Sequence, residues 1–354
     1  MNKPKVLILY NKLFHYRIPV WNILSEYCQL TVSYTVGGEI EVPNDLKFEV
    51  MYLPPINGNE RFVIQKANIR KLARQFDVVI AYGNIAWLKL STLPWFNRTK
   101  VIFWSLGVSA SYNSGYDKKT RWDWIRCFFY KHADALAFYT RFPIEKYGKM
   151  GIPVEKMFEA PNTVQVCPVD GVRPKKSILF VGTLYRQKGI QYLLDAYLAN
   201  RENHNILQLN IIGNGPDYDY IKSWIRENGM EHVIKLCGAI YDNRQKAEYF
   251  ADALACISPL QAGLTVLESM GYGVPFITTK DAITGGELFN ITNQETGVLM
   301  DSPEQLNGIL ADIFSNPEKY NHMGKQARMY YDENRTPAHM AEGLYAAIQY
   351  VLSH

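Results

Sequence analysis

Short apolar runs rich in β-branched residues alternate with helical patterns along the chain. Such runs are typical of strands that are buried on both faces of a parallel sheet. In the first half, the predicted helices lie at 19–26, 62–75 and 86–93, and the predicted strands lie at 6–10, 30–34, 48–53, 78–81, 101–104 and 135–139. This alternation predicts a doubly wound, parallel α/β sheet.

The alternation begins again after a polar, proline-containing stretch at 166–176. The predicted helices of this half lie at 190–198, 218–228, 246–250 and 265–272, and the predicted strands lie at 178–181, 208–212, 234–236, 253–257 and 276–278. Pro317 and Pro337 are predicted to begin two further helices, because proline is favoured at the first position of a helix.

A chain of 354 residues exceeds what one hydrophobic core usually organises. We therefore predict two Rossmann-like domains, at 1–165 and 177–336, that face a central cleft and are joined by a linker at 166–176. We expect a C-terminal helix at 337–354 to pack back toward the N-terminal domain. Ligands of open α/β sheets bind beyond the carboxyl ends of the strands, so the cleft is the predicted active site.

Composition is that of a soluble globular protein, with 47% hydrophobic and 20% charged residues. No apolar run has the length of a membrane span or of the apolar part of a signal peptide. The five cysteines form no Cys-x-x-Cys pair and lack the histidine spacing of a zinc site. We predict a cytoplasmic protein with reduced thiols and without a metal site.

Charge is distributed unevenly between the two halves. Residues 1–170 contain 22 Lys and Arg against 14 Asp and Glu, a balance of +8, whereas the remainder contains 16 against 20, a balance of −4. A basic first domain suggests an anionic partner, such as a phospholipid surface or a phosphate-bearing acceptor. No motif supports binding to nucleic acid.

The segment 180–189, Phe-Val-Gly-Thr-Leu-Tyr-Arg-Gln-Lys-Gly, leads from a predicted strand into a predicted helix. Amide groups at the start of a helix attract anions, Gly182 would let a phosphate approach, and Lys188 would add a full positive charge. The segment alone fits equally well an ordinary strand-to-helix turn with a surface lysine.

A second such segment is 258–275, in which Gly263 precedes a predicted helix. We expect the amides of Leu264, Thr265 and Val266 to be free to bind an anion. Glu268 follows one turn later, and a carboxylate there could accept hydrogen bonds from the hydroxyls of a ribose. The alternative is a first-turn glutamate that complements the helix dipole.

Taken together, these segments resemble the retaining glycosyltransferases of family 4, which have the GT-B fold. The family pattern reads Phe-Val-Gly-Arg-Leu, three variable residues and Lys-Gly, then Ile-x-Gly-x-Gly-Pro, then a Glu-containing loop that leads to Glu-x-Met-x-x-Gly-x-Pro. Nearly the whole chain takes part, through the segments 160–163, 180–189, 211–216, 260–275, 285–287 and 295–297.

The resemblance implies a transfer of a sugar from a nucleotide-diphosphate donor, UDP- or GDP-linked, with retention of configuration. Lys188 would bind the diphosphate and Glu268 the ribose, as the two catalytic residues. Other donor-binding positions would be Gly182, Thr183, Arg186, Gly213, Ala239, Ile240, Gly263, Leu264, Thr265 and Val266. No cofactor or metal ion is implied, and the acceptor would be a glycan or lipid-linked saccharide of bacterial surface polysaccharide biosynthesis.

Three positions depart from the family pattern. Thr183 stands where the family usually has arginine, for which Arg186 is a candidate substitute, and Leu260 replaces the first of a pair of glutamates. Leu106 lies where many members have a histidine. These departures motivate one alternative, a degenerate non-catalytic subunit, and a nucleotide-sugar 2-epimerase is a second.

Two segments of the first domain suggest contacts with an acceptor or a membrane. His15, Tyr16 and Arg17 follow the first strand at the cleft, and related proteins carry a Tyr-Arg-x-Pro run there, so we place them on the acceptor side; the alternative is a solvated loop end. Residues 118–131 mix basic and aromatic side chains at helical length. This helix could lie on an anionic membrane, or Trp122, Ile125 and Phe129 could form an ordinary core stripe.

Overall fold

The computed structural model describes residues 3–40, 45–56, 62–96, 99–111, 115–118, 120–169, 171 and 173–354. They form two compact units. The first unit combines 1–109, 117–163 and 335–354, and the second combines 110–116 and 164–334.

The first half of the chain contributes one large parallel sheet and one short antiparallel hairpin. In chain order its strands are β1 Lys5–Leu9, β2 Gln29–Tyr34, β3 Glu49–Tyr52, β4 Val78–Tyr82, β5 Lys100–Ser105, β6 Ala110–Ser111, β7 Gly115–Tyr116, β8 Ala135–Phe138 and β9 Met157–Glu159. The parallel sheet has the order β3-β2-β1-β4-β5-β8-β9, and β6 pairs with β7 in the hairpin. The predicted parallel sheet is confirmed.

Helices connect these strands. They are α1 Ile18–Leu24, α2 Ile69–Ala73, α3 Leu88–Ser91, α4 Leu93–Phe96, α5 Asp123–His132 and α6 Phe142–Lys149. The helix predicted at 62–75 is much shorter in the structure, because Asn68 caps α2 by accepting a hydrogen bond from the amide of Lys71.

The second sheet repeats the parallel arrangement. Its half of the chain contains β10 Ser177–Val181, β11 Gln208–Ile212, β12 Ile234–Gly238, β13 Ala253–Ile257, β14 Gln261–Ala262, β15 Phe276–Thr279, β16 Ile283–Thr284 and β17 Gly297–Met300. The large sheet has the order β12-β11-β10-β13-β15-β17. The helices are α7 Ile190–Ala199, α8 Tyr218–Glu227, α9 Asn243–Ala251, α10 Thr265–Gly271, α11 Leu306–Ser315, α12 Pro317–Asn334 and α13 Pro337–Ser353.

Strands β6 and β7 correct the predicted domain boundaries. We had placed these residues in the N-terminal domain at 1–165, but they cluster with the second unit. The ring of Tyr116 meets the ring of Phe289 edge-on, with centroids 5.1 Å apart. The chain enters the second unit again at Val164, and the amide of Cys167, in the predicted linker, donates to the hydroxyl of Tyr272. Asp170 and Val172 of that linker lie outside the described residues.

Helix α13 belongs to the first unit. Its apolar residues recur at helical spacing and are buried against α1 and the first sheet; they are Met340, Ala341, Leu344, Ala347, Ile348 and Val351. As predicted, Pro317 and Pro337 each begin a helix.

Both large sheets reverse their strand order at one place, between β1 and β4 in the first and between β10 and β13 in the second. Loops on the two sides of such a reversal diverge and leave a crevice at the carboxyl ends of the strands. The segments with predicted chemistry follow β1, β10 and β13. Among the described helices, none is both long enough and apolar enough to cross a bilayer.

Candidate functional site

Two glycine-containing loops lie against each other at the reversal of the second sheet. A Cβ atom on Gly213 would lie 1.9 Å from the carbonyl oxygen of Gly182, and one on Gly215 would lie 2.3 Å from that of Leu184. The amide of Leu184 donates to the carbonyl of Asn214 over 2.9 Å. Glycine is therefore required at positions 213 and 215 of the loop after β11, because only its backbone lets the two loops approach so closely.

Lys188 is held beneath the first of these loops, at the end of the 3-10 turn Arg186–Lys188. It is only 9% exposed, and a Cβ atom on Gly182 would lie 2.1 Å from its Nζ. Burial lowers the pKa of Lys188 to about 8. Within the described part of the chain, no carboxylate pairs with this ammonium group, and no acceptor receives a hydrogen bond from it. A buried cation that the protein leaves unpaired is typical of a site that receives an anion.

Leu260 occupies the position of the missing family glutamate. Its amide donates to the carbonyl of Lys188 over 3.2 Å, and its carbonyl accepts from the amide of Ile283 over 2.8 Å. A Cβ atom on Gly189, which has a left-handed backbone with φ 70°, would lie 2.7 Å from Cγ of Leu260. The leucine thus keeps the backbone contact with the Lys188 loop but adds no carboxylate to it.

The start of α10 corrects one prediction. The amide of Val266 is not free, because it donates to the carbonyl of Gly263 over 2.9 Å in a tight first turn. A Cβ atom on Gly263 would meet no described atom within 4 Å, so open space lies beside it. Leu264 and Thr265 are half-buried at this end of the helix.

Glu268 lies one turn into α10 and is 8% exposed. Its Oε1 atom forms an ion pair of 2.6 Å with Nζ of Lys246, on α9. Sequence reasoning did not find Lys246, because a lysine in the first turn of a polar helix carries no motif.

The thiol of Cys256 is affected by both predicted catalytic side chains. Burial raises its pKa, the carboxylate of Glu268 raises it further, and the ammonium of Lys188 lowers it. Lys188 and Glu268 therefore both shift the pKa of this one buried thiol. Cys256 belongs to β13, one of the two strands between which the strand order reverses.

The remaining predicted donor positions differ in exposure. Thr183 and Arg186 are exposed beside the Lys188 loop, and Gly213 is buried. The amide of Gly213 donates to the carbonyl of Gly238 over 2.8 Å, which holds the ends of β11 and β12 together. Ala239 follows and is exposed, whereas Ile240 is half-buried against the core.

His15, Tyr16 and Arg17 form a 3-10 turn between β1 and α1. His15 is exposed, but Arg17 is 1% exposed and donates to Oδ1 of Asn162 and Sδ of Met340, both over 2.8 Å. Its guanidinium group lies 5.0 to 5.3 Å from the ring centroids of Tyr16, Trp104 and Tyr139. The solvated loop end that we had considered is wrong for Arg17, whose guanidinium is packed inside the first unit rather than open to an acceptor.

Helix α5 buries a different stripe from the one we had considered. Its buried residues are Asp123, Cys127 and Tyr130, while the predicted core residue Trp122 is 43% exposed. Other large apolar side chains exposed in this unit include Phe62, Leu88, Phe96, Trp124 and Phe128. A groove of about 430 Å³ runs among Phe62, Leu88, Trp122 and Phe129. Lys119, part of the predicted segment, lies outside the described residues.

No three His, Cys, Asp or Glu side chains gather into a metal-binding group within the described ranges. The cations and glycines at the carboxyl ends of β10 and β13 are the features with which this site could bind a ligand.

Comparison with known families bears on this second sheet. Residues 171–330 match the family model described as glycosyl transferases group 1. This part of the chain is therefore similar to the group 1 glycosyltransferases. An uncharacterized glycosyltransferase of Methanocaldococcus jannaschii is 32% identical over 126 residues, which cover 35% of this chain and 31% of that protein. The chain matches between 26% and 53% of the length of its curated relatives.

Solved structures extend the likeness to both units. HepE of Anabaena, in complex with UDP, has a TM-score of 0.73 at 15% identity, with 98% of this chain and 99% of HepE covered. The lipopolysaccharide outer core galactosyltransferase WaaB has a TM-score of 0.66 at 17% identity, with coverage of 97% and 98%. The GT-B fold predicted from the sequence is thereby confirmed.

Proposed function

We propose that this chain is a glycosyltransferase that moves a sugar from a UDP- or GDP-linked donor to an acceptor hydroxyl, with retention of configuration at the transferred carbon. The observation that carries the proposal is Lys188, a buried ammonium without a partner among the described residues, at the strand-order reversal of a group 1 domain. A diphosphate is the anion that such a domain would receive there.

The donor class is further supported by the structural neighbours. HepE has been solved with UDP and with UDP-glucose, and both complexes share the fold of this chain. In our proposal Glu268 accepts hydrogen bonds from the ribose, while Gly213, Ala239 and Ile240 flank the base. Thr183 and Arg186 would lie along the diphosphate.

The reaction that we propose uses binding and charge stabilisation rather than an enzymic nucleophile. Departure of the diphosphate and attack of the acceptor hydroxyl take place on one face of the sugar, and negative charge develops on the leaving group. Lys188 and the amides of Gly263, Leu264 and Thr265 would stabilise that charge. Because Lys188 already supplies a cation, we propose that transfer does not depend on a metal ion.

The first experiment measures the melting temperature of the wild type and of Glu268→Ala against UDP-, GDP- and ADP-sugars, because a ligand that binds the native state raises that temperature. We expect one nucleotide class to stabilise the wild type and to lose most of that effect in the variant. Turnover of that donor with and without EDTA then tests metal independence, and the anomeric configuration of the product tests retention. Absence of any shift with millimolar ligand would favour a degenerate subunit, for which Thr183, Leu106 and Leu260 are the motivation.

We propose a glycan or lipid-linked saccharide as the acceptor, in surface polysaccharide biosynthesis at the cytoplasmic face of a membrane. WaaB, a lipopolysaccharide galactosyltransferase by its name, shares the fold. The first half of the chain carries the excess of positive charge. An acceptor on a lipid would be met by an enzyme that rests on the same membrane.

The exposed face of α5 supports that peripheral contact. Trp124 is 68% and Phe128 54% exposed, and Arg121 and Arg70 lie over the rings of Trp122 and Phe96. Aromatic side chains interleaved with cations are typical of surfaces that enter the interface of an anionic bilayer. We expect the protein to float with vesicles that contain anionic lipid, and the double variant Trp124→Ala, Phe128→Ala to remain unbound. Tyr220→Ala, which removes an exposed aromatic ring of the second unit, is the matched control.

A further inference from the structure

Glu268 and Lys246 lie on two different helices of the second unit. Helix α9 follows β12, and helix α10 follows β13 and the short strand β14, so both begin at the carboxyl edge of the second large sheet. Lys246 Nζ and Glu268 Oε1 are 2.6 Å apart, and the two side chains are 17% and 10% exposed. An ion pair this close and this enclosed is a fixed contact rather than a passing surface pair.

The ion pair with Lys246 involves one of the two oxygens of the Glu268 carboxylate, Oε1. No described residue donates a hydrogen bond to Oε2 of Glu268, which is also absent from the fully buried polar atoms that lack a partner. Oε2 therefore retains contact with the solvent while Lys246 holds Oε1. Removing a carboxylate from water is costly unless a cation compensates it, and Lys246 provides that compensation.

Arg244, two residues before Lys246, shows that the contact is particular to one position of α9. Arg244 is exposed and forms no ion pair within the described chain. The two side chains share the first turn of the helix, yet only Lys246 reaches α10. The polar composition of α9 alone therefore does not explain the pair.

We propose that Lys246 is a positioning residue for the donor: by holding Oε1, it fixes the plane of the Glu268 carboxylate so that this group meets the ribose hydroxyls. This inference rests on the proposed function, in which Glu268 binds the ribose. A carboxylate on a free side chain rotates among several orientations, and a neighbour that restricts it raises the fraction ready to bind, as partners of ligating groups do elsewhere.

The test compares binding of UDP and 2′-deoxy-UDP by calorimetry, with GDP and 2′-deoxy-GDP as the second pair. The proteins are the wild type, Lys246→Met, Lys246→Arg and the control Arg244→Met. We expect the wild type to bind the ribonucleotide about tenfold more tightly than its 2′-deoxy form, since the hydroxyl bonds to a charged acceptor. In Lys246→Met the ratio of the two affinities should fall toward one. Lys246→Arg should retain part of the wild-type ratio, and the control Arg244→Met should retain all of it.

A double variant separates positioning from general damage. If Lys246 acts through Glu268, then Lys246→Met in a Glu268→Gln background should change the ratio no further, because neighbours that act as one unit are not additive. Equal weakening of both nucleotides in Lys246→Met, with the ratio intact, would overturn the positioning role, since it would indicate a direct contact between Lys246 and the phosphates or the base. A wild type that binds none of the four nucleotides would instead overturn the proposed function itself.

Discussion

Each of the two units has a buried cation at the same point of its topology, but the two cations differ in their hydrogen-bond partners. In each, the first strand of the sheet is followed by a 3-10 turn that ends in a basic residue, Arg17 in the first unit and Lys188 in the second. Arg17 is surrounded by Asn162, Met340 and aromatic rings. Nζ of Lys188 lies 5.9 Å from the ring centroids of Phe180 and Tyr185. Among the residues described, it donates a hydrogen bond to no acceptor.

This contrast separates a structural cation from the one that we propose binds an anion. Burial alone does not distinguish them, because both residues are nearly inaccessible. What differs is whether the protein supplies the partners. The Arg17 guanidinium donates two hydrogen bonds inside the fold, although its buried Nε has no partner. The Lys188 ammonium, whose pKa burial lowers, donates none to the described residues and would be stabilised by an anion.

The variant Lys188→Ala tests the proposed anion-binding role of Lys188 directly. We expect turnover of the donor to fall by roughly 10²–10³, the loss seen when one group that stabilises a developing anion is removed. The melting temperature of the nucleotide-free protein should hold or rise, because an unpaired buried charge has gone. Steady-state kinetics and calorimetry measure the two effects, with the exposed Lys235→Ala as control. Turnover close to that of the wild type would remove Lys188 from the site.

The converse substitution, Arg17→Met, should act on stability. It removes a charge-assisted hydrogen bond to Asn162 and the contacts with three rings, so we expect the free energy of unfolding of the first unit to fall by about 2 to 3 kcal/mol. Urea unfolding followed by near-UV circular dichroism measures this change against Arg74→Met, an exposed arginine of the same unit. An unchanged free energy of unfolding would mean that the contacts of Arg17 do not stabilise the first unit.

Donor binding is expected to depend on pH through the ammonium group of Lys188. Lys188 is charged below its pKa of about 8, and a diphosphate binds the charged form. Affinity for UDP should therefore change little between about pH 7 and about pH 8 and fall toward tenfold per pH unit above that. Lys188→Arg, whose guanidinium stays charged, should bind with no such fall between about pH 7 and about pH 9. A decline that is identical in both proteins would assign it to another group.

The same pKa bears on stability without ligand. Because the folded protein holds the Lys188 proton less tightly than the unfolded chain does, the unfolded state binds more protons between pH 8 and the ordinary lysine pKa of 10.5. This group's contribution to the free energy of unfolding therefore rises with pH across that window.

The smallest expected effect concerns Thr183, where the family pattern has arginine. Thr183→Arg should tighten UDP binding by about three- to tenfold, because a second cation would join Lys188 at the diphosphate. Thr183→Gln, which also adds a longer polar side chain but no charge, is its control, and calorimetry is the measurement. Equal affinities for the two variants would mean that position 183 does not face the diphosphate.

Strands buried on both faces were the most predictable part of the fold. β11 and β13 have the predicted bounds, because their apolar runs end sharply at polar or proline-containing loops. β9 and β17 were missed, since each has only three or four residues and lies at the edge of its sheet. An edge strand needs a single neighbour, so its sequence carries a weaker apolar signal.

The candidate site divides in the same way. The loops around Gly182 and Gly213 could be predicted because the backbone there admits only glycine, which leaves a local trace in the sequence. The partners of Glu268 and Arg17 could not, because Lys246 lies on another helix and Met340 is 323 residues away from Arg17. Side-chain pairing across such distances depends on the completed fold.

Helix α13 has a consequence for the order in which the chain is made. The first unit needs residues 335–354 to cover α1 and its sheet, but these are synthesised only after the whole of 164–334. At ribosomal speeds of roughly 5 to 20 residues per second, the apolar face of the nascent first unit waits on the order of ten to forty seconds for its cover. During that interval the nascent chain exposes an apolar surface that is prone to aggregation. A chaperone that binds this surface would protect the first unit rather than the second.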